Sequence, residues 1–220
     1  LIPRYNVAPT DQVPAIFEKD GHRYLEPMRW GLIPFHAVQM RGRAVLDRNE
    51  KTINTPINAR AETVESRGSF KSSFQKRRCL IPAGGFYEWK KDGNRRLPTY
   101  IYSKNNEPLA FAGLWETWKS SESPVVRSCT IVTTSANSFI EPLHHRMPVI
   151  LSGETQALWL DPLTEDPANL EPLLIPAPEE LLTSHRVAET VNSVKNQGPG
   201  LILPLAEGDL EANPDGRLFP

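Results

Sequence analysis

Apolar residues along this chain come in short runs separated by polar turns, a pattern typical of β-strands. The dipeptide Asp92-Gly93 lies between two of these runs and predicts a β-hairpin. Because the runs are numerous and short, we expect a mostly antiparallel sheet that closes as a barrel. The runs are residues 77–81, 86–89, 98–102, 109–115 and 129–134.

Few helices are predicted by the same pattern. The 21 prolines are spread along all 220 residues and argue against long helices, because each removes a backbone donor and fixes φ. We expect short helices at Ser69 to Lys76, Ala136 to Leu143, Ser152 to Leu160 and Pro178 to Ser184, with Ser152 as an N-cap. The predicted fold class is α+β: a single domain over residues 1–206 with an antiparallel β-barrel-like core, followed by a polar tail over residues 207–220.

Composition excludes several protein classes. The longest apolar stretch, Leu109 to Trp115, is far shorter than the roughly 20 residues of a membrane-spanning helix. Two cysteines fifty residues apart, Cys79 and Cys129, provide neither a disulfide framework nor a zinc site. GxSxG, P-loop, HExxH and GxGxxG motifs are absent. We expect no metal, no cofactor and no membrane association, and a location in the cytoplasm or nucleus instead of secretion.

Charge is balanced overall but separated along the chain. The net charge is −1, yet residues 41–96 contain fourteen basic and six acidic residues, a local excess of +8. Such separation suits a protein that presents one basic face to a polyanion. Ordinary solvated surface charge is the alternative interpretation.

Glu88 is a candidate acid because it lies among aromatic residues in the run Phe86-Tyr87-Glu88-Trp89. On a strand, Glu88 shares one face with Phe86, whereas Tyr87 and Trp89 lie on the other. If the Glu88 face is interior, burial raises the pKa of its carboxyl and makes it a proton donor near neutral pH. The alternative is an edge carboxylate paired with Lys90 or Lys91.

Three more residues are candidates for chemistry. His144 and His145 are adjacent, so on an extended segment they point to opposite sides and at most one can face a site. That histidine is either a general acid or base, or a hydrogen-bonded structural residue. Asn58, inside the basic segment, offers a donor and an acceptor that could orient a reacting group.

Several ordered motifs resemble those of the SOS-response-associated peptidase (SRAP) family, over nearly the whole chain. The resemblance implies a compact α+β fold around a barrel-like core, with a basic groove for single-stranded DNA. It also implies reaction with abasic sites, whose ring-opened sugar presents an aldehyde, through an N-terminal cysteine that forms a thiazolidine. The motifs are Tyr5-Asn6-Val7-Ala8-Pro9, residues 29–34, Ile57 to Thr63, residues 78–83 and 85–90, Ile131 to Thr134, His144 to Leu151, Val191-Asn192 and Lys195-Asn196.

The resemblance assigns roles to individual residues. Asn58 matches the asparagine that positions the cysteine amine, Glu88 the carboxylate that assists proton transfer, and His144 the histidine that promotes ring opening and adduct reversal or strand cleavage. Arg60 is expected to contact phosphate. The positions expected to line the nucleotide path are Asn6, Pro9, Trp89 and Thr133.

Two departures from the family pattern stand out. The family usually has an aspartate after the histidine, where this chain has His145, so hydrogen bonding near Arg146 is expected to differ. The family also begins with Cys-Gly-Arg before the first motif, whereas this sequence begins at Leu1. We expect the nucleophile to lie ahead of Leu1, and the sequence printed from Leu1 to form no crosslink, because neither internal cysteine offers an N-terminal amine.

The predicted function is therefore a sensor of abasic sites in single-stranded DNA that crosslinks covalently to the lesion and protects it, with lyase and autopeptidase activities as further possibilities. The expected partner is single-stranded DNA containing abasic sites, and the protein is expected to be a monomer. Two alternatives remain open: a noncovalent reader of single-stranded or modified DNA, and a thiol autoprotease.

Overall fold

The computed structural model describes residues 2–120 and 123–206, and its centre is a closed five-stranded barrel. Strands neighbour one another in the order β2-β1-β6-β9-β10, and β10 returns to β2 to close the ring. Pairing is antiparallel except between β10 and β2, which run parallel. The barrel strands are β1 (Gln12–Lys19), β2 (His22–Trp30), β6 (Arg78–Ala83), β9 (Leu109–Ser120) and β10 (Ser123–Ser135).

Alternation of apolar residues places one face of each strand in the barrel. In β1, for example, Val13, Ala15 and Phe17 are buried while their neighbours are partly exposed. Gly113 allows the strands to approach closely, because a Cβ there would lie 2.9 Å from the Cys79 Sγ atom and 3.1 Å from a backbone oxygen. Cys79 and Cys129 are buried as free thiols. Burial raises the pKa of Cys129 to about 12, so this residue packs as a small apolar side chain.

A second, three-stranded sheet lies beside the barrel in the order β12-β8-β7. Its strands are β7 (Gly85–Asp92), β8 (Arg95–Ser103) and β12 (Leu182–Arg186). The hairpin predicted at Asp92-Gly93 is confirmed: Asp92 pairs with Arg95, and Gly93 adopts a φ of +57°. This hairpin belongs to the side sheet and not to the barrel.

Shorter strands lie outside the five-stranded barrel. A small hairpin comprises β3 (Gln39–Arg41) and β4 (Ala44–Leu46). Beyond β2 and β9, strand β10 continues between β5 (Asn58–Arg60), which runs parallel to it, and β11 (Arg146–Pro148), which runs antiparallel. Strand β10 thereby brings the sequences around Asn58 and His144 to the same end of the barrel.

The helices are short and cover a second apolar core outside the barrel. They are α1 (Lys71–Lys76), α2 (Glu154–Leu160) and α3 (Pro167–Leu170). The core beneath them includes Phe70, Phe74, Trp159 and Leu170, each at most 1% exposed. Single 3-10 turns occur at Ala61–Thr63, Glu171–Leu173, Glu179–Leu181, Glu189–Asn192 and Pro199–Ile202. The α+β class and the barrel-like core predicted from the sequence are confirmed.

Two of the four predicted helices are wrong. Residues 138–143 form successive turns. The Asn137 side chain just before them accepts a hydrogen bond from Ile140 N (3.0 Å) and donates one to Ala177 O (2.8 Å). Residues 178–184 form one 3-10 turn and then enter β12, because the edge of β8 offers backbone partners that the sequence pattern does not reveal. The helices near Ser69 and Ser152 exist, but Gly153 takes the N-cap position predicted for Ser152.

No helix within residues 2–120 and 123–206 is long and apolar enough to cross a bilayer. The predicted polar tail over residues 207–220 lies outside the described residues.

Candidate functional site

Glu88 and His144 form the centre of the candidate site. Glu88 lies on β7, on the same face as Phe86, and Phe86 packs edge to face against the core residue Phe111. The Glu88 carboxylate is half-buried, with 23% of the side chain exposed, and its Oε1 atom lies 3.8 Å from Nδ1 of His144. Of the two interpretations of Glu88, the structure agrees with the partly buried carboxyl, and the ion-pair partner found for it is His144 instead of Lys90 or Lys91.

Burial controls the acidity of Glu88. Desolvation raises the pKa of its carboxyl above the usual range, and this effect exceeds the opposing effects of His144 and of a hydrogen bond from the Trp89 backbone. A carboxyl with a raised pKa retains its proton closer to neutral pH. Glu88 can therefore act as a proton donor to a reacting group in front of it.

His144 is oriented by the backbone of Arg146. Its Nδ1 atom lies 3.0 Å from Arg146 O and 3.2 Å from Arg146 N, so this nitrogen either donates to the oxygen or accepts from the amide according to its tautomer. The prediction that His144 and His145 point to opposite sides is wrong: their rings lie 4.4 Å apart. They precede β11 at a bend in the chain, where strand alternation does not apply.

Arg146, two residues after His144, forms an ion pair with Glu62 on the other side of β10. Arg146 donates from Nη1 to Glu62 Oε1 (2.8 Å) and from Nη2 to Glu62 Oε2 (3.0 Å), a bidentate geometry. Nη2 also donates to the backbone oxygen of Thr133. The hydrogen bonds from Arg146 hold the pKa of Glu62 below its usual range. The guanidinium thereby ties the 3-10 turn after β5 to the loop that carries His144.

Asn58 and Arg60 lie on one exposed side of β5, with the fully buried Ala59 between them. Asn58 pairs in register with Ile131, and Arg60 with Thr133. Thr133 is only 8% exposed, and its hydroxyl lies 3.5 Å from Ala59 O and 3.3 Å from Arg146 Nη2. Asn58 and Arg60 are thus presented to solvent, whereas Thr133 mainly connects β5 to Arg146.

Trp89 and Asn6 both contact residues 191–193, on the face of β7 opposite to Glu88. Trp89 packs beside Val191, and its Nε1 donates to Asn192 Oδ1 (2.8 Å). Asn6 is 7% exposed; its Nδ2 donates to Val191 O (2.9 Å) and Ser193 O (3.1 Å). The side chain of Asn6 therefore fixes the N-terminal segment against residues 191–193.

Gln197 completes this attachment. Its Oε1 accepts from the backbone amides of Tyr5 (3.2 Å) and Asn6 (3.3 Å), and its Nε2 donates to Asn6 O (2.7 Å). The hydroxyl of Tyr87 donates to Tyr5 O (2.7 Å), and burial raises the pKa of Tyr87 to about 12. We refer to these contacts of Tyr5 and Asn6 as the N-terminal clamp.

Pro9 lies in an exposed turn next to Trp30. Thr10 N donates to Trp30 O (2.7 Å), and Trp30 Nε1 donates to Ile57 O (2.9 Å), directly before Asn58. The eight predicted site residues thus fall into three groups. Pro9 lies near the start of β5, and Asn6 and Trp89 lie behind β7. Asn58, Arg60, Thr133, His144 and, through His144, Glu88 lie at the end of β10 that pairs with β5 and β11.

The sequence pattern does not indicate Glu62 as a site residue, and it marks Arg146 only as a neighbour of His144. The two partners are 84 positions apart, so no local pattern indicates the pair. Two local signals were nevertheless present. Glu62 comes two residues after Arg60, and Arg146 comes two residues after His144. In the described part of the chain, no cluster of three or more His, Cys, Asp or Glu side chains could hold a metal ion.

Comparisons with known proteins point to one family. The profile of the SOS response associated peptidase (SRAP) family matches residues 1–194. The abasic site processing protein YoqW of Bacillus subtilis is 40% identical over 201 residues, which cover 91% of this chain and 85% of the relative. The abasic site processing protein YedK of Escherichia coli is 32% identical over 93% of this chain and 86% of its own length.

A solved structure extends the similarity to the fold. The crystal structure of a protein from Bacteroides thetaiotaomicron superposes with a TM-score of 0.75 and 27% identity, over 90% of this chain and 82% of the other. Because the family profile covers residues 1–194, the chain belongs to the SRAP family.

Proposed function

We propose that this protein recognises abasic sites in single-stranded DNA and captures them as a covalent adduct with an N-terminal cysteine that precedes Leu1. The observation that carries the proposal is the Glu88–His144 pair, with 3.8 Å between Oε1 and Nδ1, at the end of the barrel where β10 holds Asn58. The names of the abasic site processing relatives support the same substrate.

The chemistry needs a proton donor where Glu88 lies. The cysteine amine adds to the aldehyde of the ring-opened sugar and gives a carbinolamine, which loses water to become an imine. Glu88, whose pKa is raised by burial, supplies the proton that leaves with this water. The thiol then adds across the imine and closes a thiazolidine, so that aldehyde and cysteine yield the adduct and one water.

Asn58 and His144 have separate tasks in this proposal. Asn58 is exposed on β5 and orients the cysteine amine through its amide without titrating. His144, fixed by the Arg146 backbone, moves the proton that opens the closed sugar and also serves adduct reversal or strand cleavage, which is the lyase activity.

The DNA strand would follow the exposed surface beside these groups. Arg60 is exposed and contacts phosphate; Pro9 and the half-buried Trp89 contact nucleotides. Asn6 and Thr133 act on the path through the segments that they fix.

The protein acts as a monomer and is located wherever the genome is. Light scattering of the purified protein on a sizing column tests the monomeric state.

The test uses the full-length protein with its N-terminal cysteine exposed. Incubated with an oligonucleotide that carries one abasic site, it should give a DNA–protein species that survives denaturing electrophoresis. The variant with alanine in place of that cysteine, and an oligonucleotide without the lesion, should give none. Absence of the stable species with the parent protein would overturn the proposal.

A noncovalent DNA reader is the second candidate, favoured by the excess of +8 charges over residues 41–96. It requires salt-dependent affinity that is equal for normal and abasic strands.

An autopeptidase that removes its own leader is a further activity in this proposal. Mass spectrometry of crosslinking-competent protein tests it, because an N-terminus with the leader still attached would contradict it.

A further inference from the structure

Two arginines contact one carboxylate at the turn that carries Pro9. Asp11 accepts from Arg4 Nη2 at 2.6 Å and from Arg43 Nη2 at 3.1 Å, and Arg43 Nη1 donates to the Thr10 hydroxyl at 3.0 Å. Backbone hydrogen bonding and these arginines hold the pKa of Asp11 below its usual range, against the opposing effect of burial. Asp11 is therefore an anion that neutralises only one of the charges around it.

Arg29 adds a third positive charge on the buried side of this turn. It is 4% exposed, and its guanidinium donates to three neutral oxygens: Gly31 O at 2.7 Å, Arg43 O at 3.0 Å and Thr55 Oγ1 at 3.4 Å. Burial, and then the charge of Arg43, lower the pKa of Arg29, but an arginine keeps its proton at neutral pH. Three guanidiniums and one carboxylate leave this turn with an excess of positive charge.

The backbone of Arg43 is fixed by its surroundings. Arg43 lies in the two-residue loop of the β3–β4 hairpin, next to Gly42, whose φ is +60°. Val45 in β4 is 1% exposed and packs with Trp118 of the barrel. The backbone of Arg43 is therefore fixed from inside, both by Arg29 and by the apolar core.

Arg43 retains donors for a ligand. Its side chain is 71% exposed although it contacts Thr10 and Asp11. A guanidinium has five N–H groups, and these two contacts use one on each terminal nitrogen. The remaining three N–H groups belong to this mostly exposed side chain, next to the turn that carries Pro9.

The turn itself adopts an uncommon conformation. Thr10 has a φ of +77°, which is unfavourable for a β-branched residue and persists only where neighbours enforce it. Hydrogen bonds from Thr10 N to Trp30 O (2.7 Å) and from Trp30 N to Asp11 O (2.8 Å) enforce it here. Through Trp30 and Ile57, the turn is continuous with the strand that carries Asn58.

We propose that Arg43, assisted by Arg4, binds a backbone phosphate of a nucleotide next to the lesion and so extends the DNA path from Pro9 onto the β3–β4 hairpin. This inference rests on the proposed function. The excess positive charge, the rigid support and the exposed donors suit a phosphate diester, which needs charge and N–H groups but no base recognition.

The test compares Arg43→Ala with Arg41→Ala in the full-length protein. Arg41 is a matched control on the same hairpin, and it pairs with Glu50 at 3.1 Å instead of the turn. The probe is a fluorescent single-stranded oligothymidylate without a lesion, titrated at several salt concentrations. We expect Arg43→Ala to weaken binding by about five- to tenfold and to reduce the salt slope by about 0.7 to 1, as the loss of one phosphate contact requires. Arg41→Ala should stay within about twofold because it lies outside the contact.

Two further measurements separate a ligand from a purely structural role. Arg43→Lys keeps the charge and should keep the salt slope, although its hydrogen bonds to the turn are lost. If Arg43→Ala lowers the melting temperature but binds the probe like Arg41→Ala, Arg43 only holds the turn and the inference fails. Crosslinking of the parent to an abasic oligonucleotide is measured in parallel: if the parent crosslinks and Arg43→Ala binds normally, only this subsite is rejected.

Discussion

Arg78 and Arg146 each tie distant segments together, but they do so with different partners. Arg78 is 3% exposed and donates from Nε to Trp159 O (2.6 Å) and from Nη1 to Phe74 O (2.8 Å) and Gln75 O (2.5 Å); Nη2 donates to Asp161 O. These carbonyls end α1 and α2, where helices leave oxygens without internal partners. Arg146 instead holds a half-exposed carboxylate and the histidine loop.

The difference separates stability from function. Burial lowers the pKa of Arg78 to about 10, so its contacts persist across the physiological range. The contact of Arg146 depends on the ionised state of Glu62 and is lost only in acid. Arg78 holds the helices on the barrel, whereas Arg146 holds the loop of His144, to which we assign proton transfer.

Replacing Arg78 should have the largest effect and should act on stability. Arg78→Ala leaves four backbone oxygens at buried helix ends without their donor, and we expect the free energy of unfolding to fall by about 3–5 kcal/mol. Urea denaturation measures the loss. Crosslinking per folded molecule should be unchanged, and a specific loss of crosslinking at full stability would break the comparison.

Glu88→Gln should show the opposite behaviour. It keeps the shape of the side chain but removes the proton donor, so the rate of crosslinking should fall by about 100-fold with little change in unfolding. Because burial raises the pKa of Glu88, the parent loses this advantage as pH rises through that pKa. Rates measured across pH should converge for the two proteins at high pH, and a constant ratio would contradict the assigned role.

Arg146→Ala should reduce the crosslinking rate by about tenfold, because a displaced His144 loses its alignment with the sugar. The loss of stability should be smaller than for Arg78→Ala, since 17% of the Arg146 side chain is exposed. Quenched-flow assays and urea denaturation on the same preparations give both quantities. Equal losses of stability in the two arginine variants would remove the distinction between them.

Glu62→Gln should have the smallest effect, a decrease in rate of up to about fivefold, in line with a partly exposed ion pair. The pKa of Glu62 is lowered in the folded state, so its pairing stabilises the protein above the unfolded pKa and is lost as pH falls through the folded one. The matched control is Glu165→Gln, which removes a surface pair with Lys76 away from the site. An identical response to acid in both variants would contradict the role of Glu62.

Local patterns predicted the parts of the fold that depend on neighbours in sequence. The Asp92-Gly93 turn and the face of Glu88 follow from hairpin chemistry and strand alternation, and the structure agrees with both. The strand at Leu182 and the turns after Ala136 depend on distant partners, namely β8 and Ala177, so propensity alone predicted helices there. The roles assigned to the eight site residues stay predictions until the variants are measured.

The candidate site shows the same limit. The spacing within each motif indicated Asn58, Glu88 and His144, but not how they are held. Their supports, from Arg146 to Glu62 and from Trp30 to the Ile57 carbonyl, join segments that only the folded barrel brings together.

The N-terminal clamp has a consequence for how the protein is made. Gln197 and Asn6 are 191 positions apart, so the clamp cannot form on the ribosome until nearly all of the described chain has emerged. The contacts of the opening segment with Gln197 are therefore made late in translation. Its full attachment follows the synthesis of the strands that carry Asn58 and Glu88.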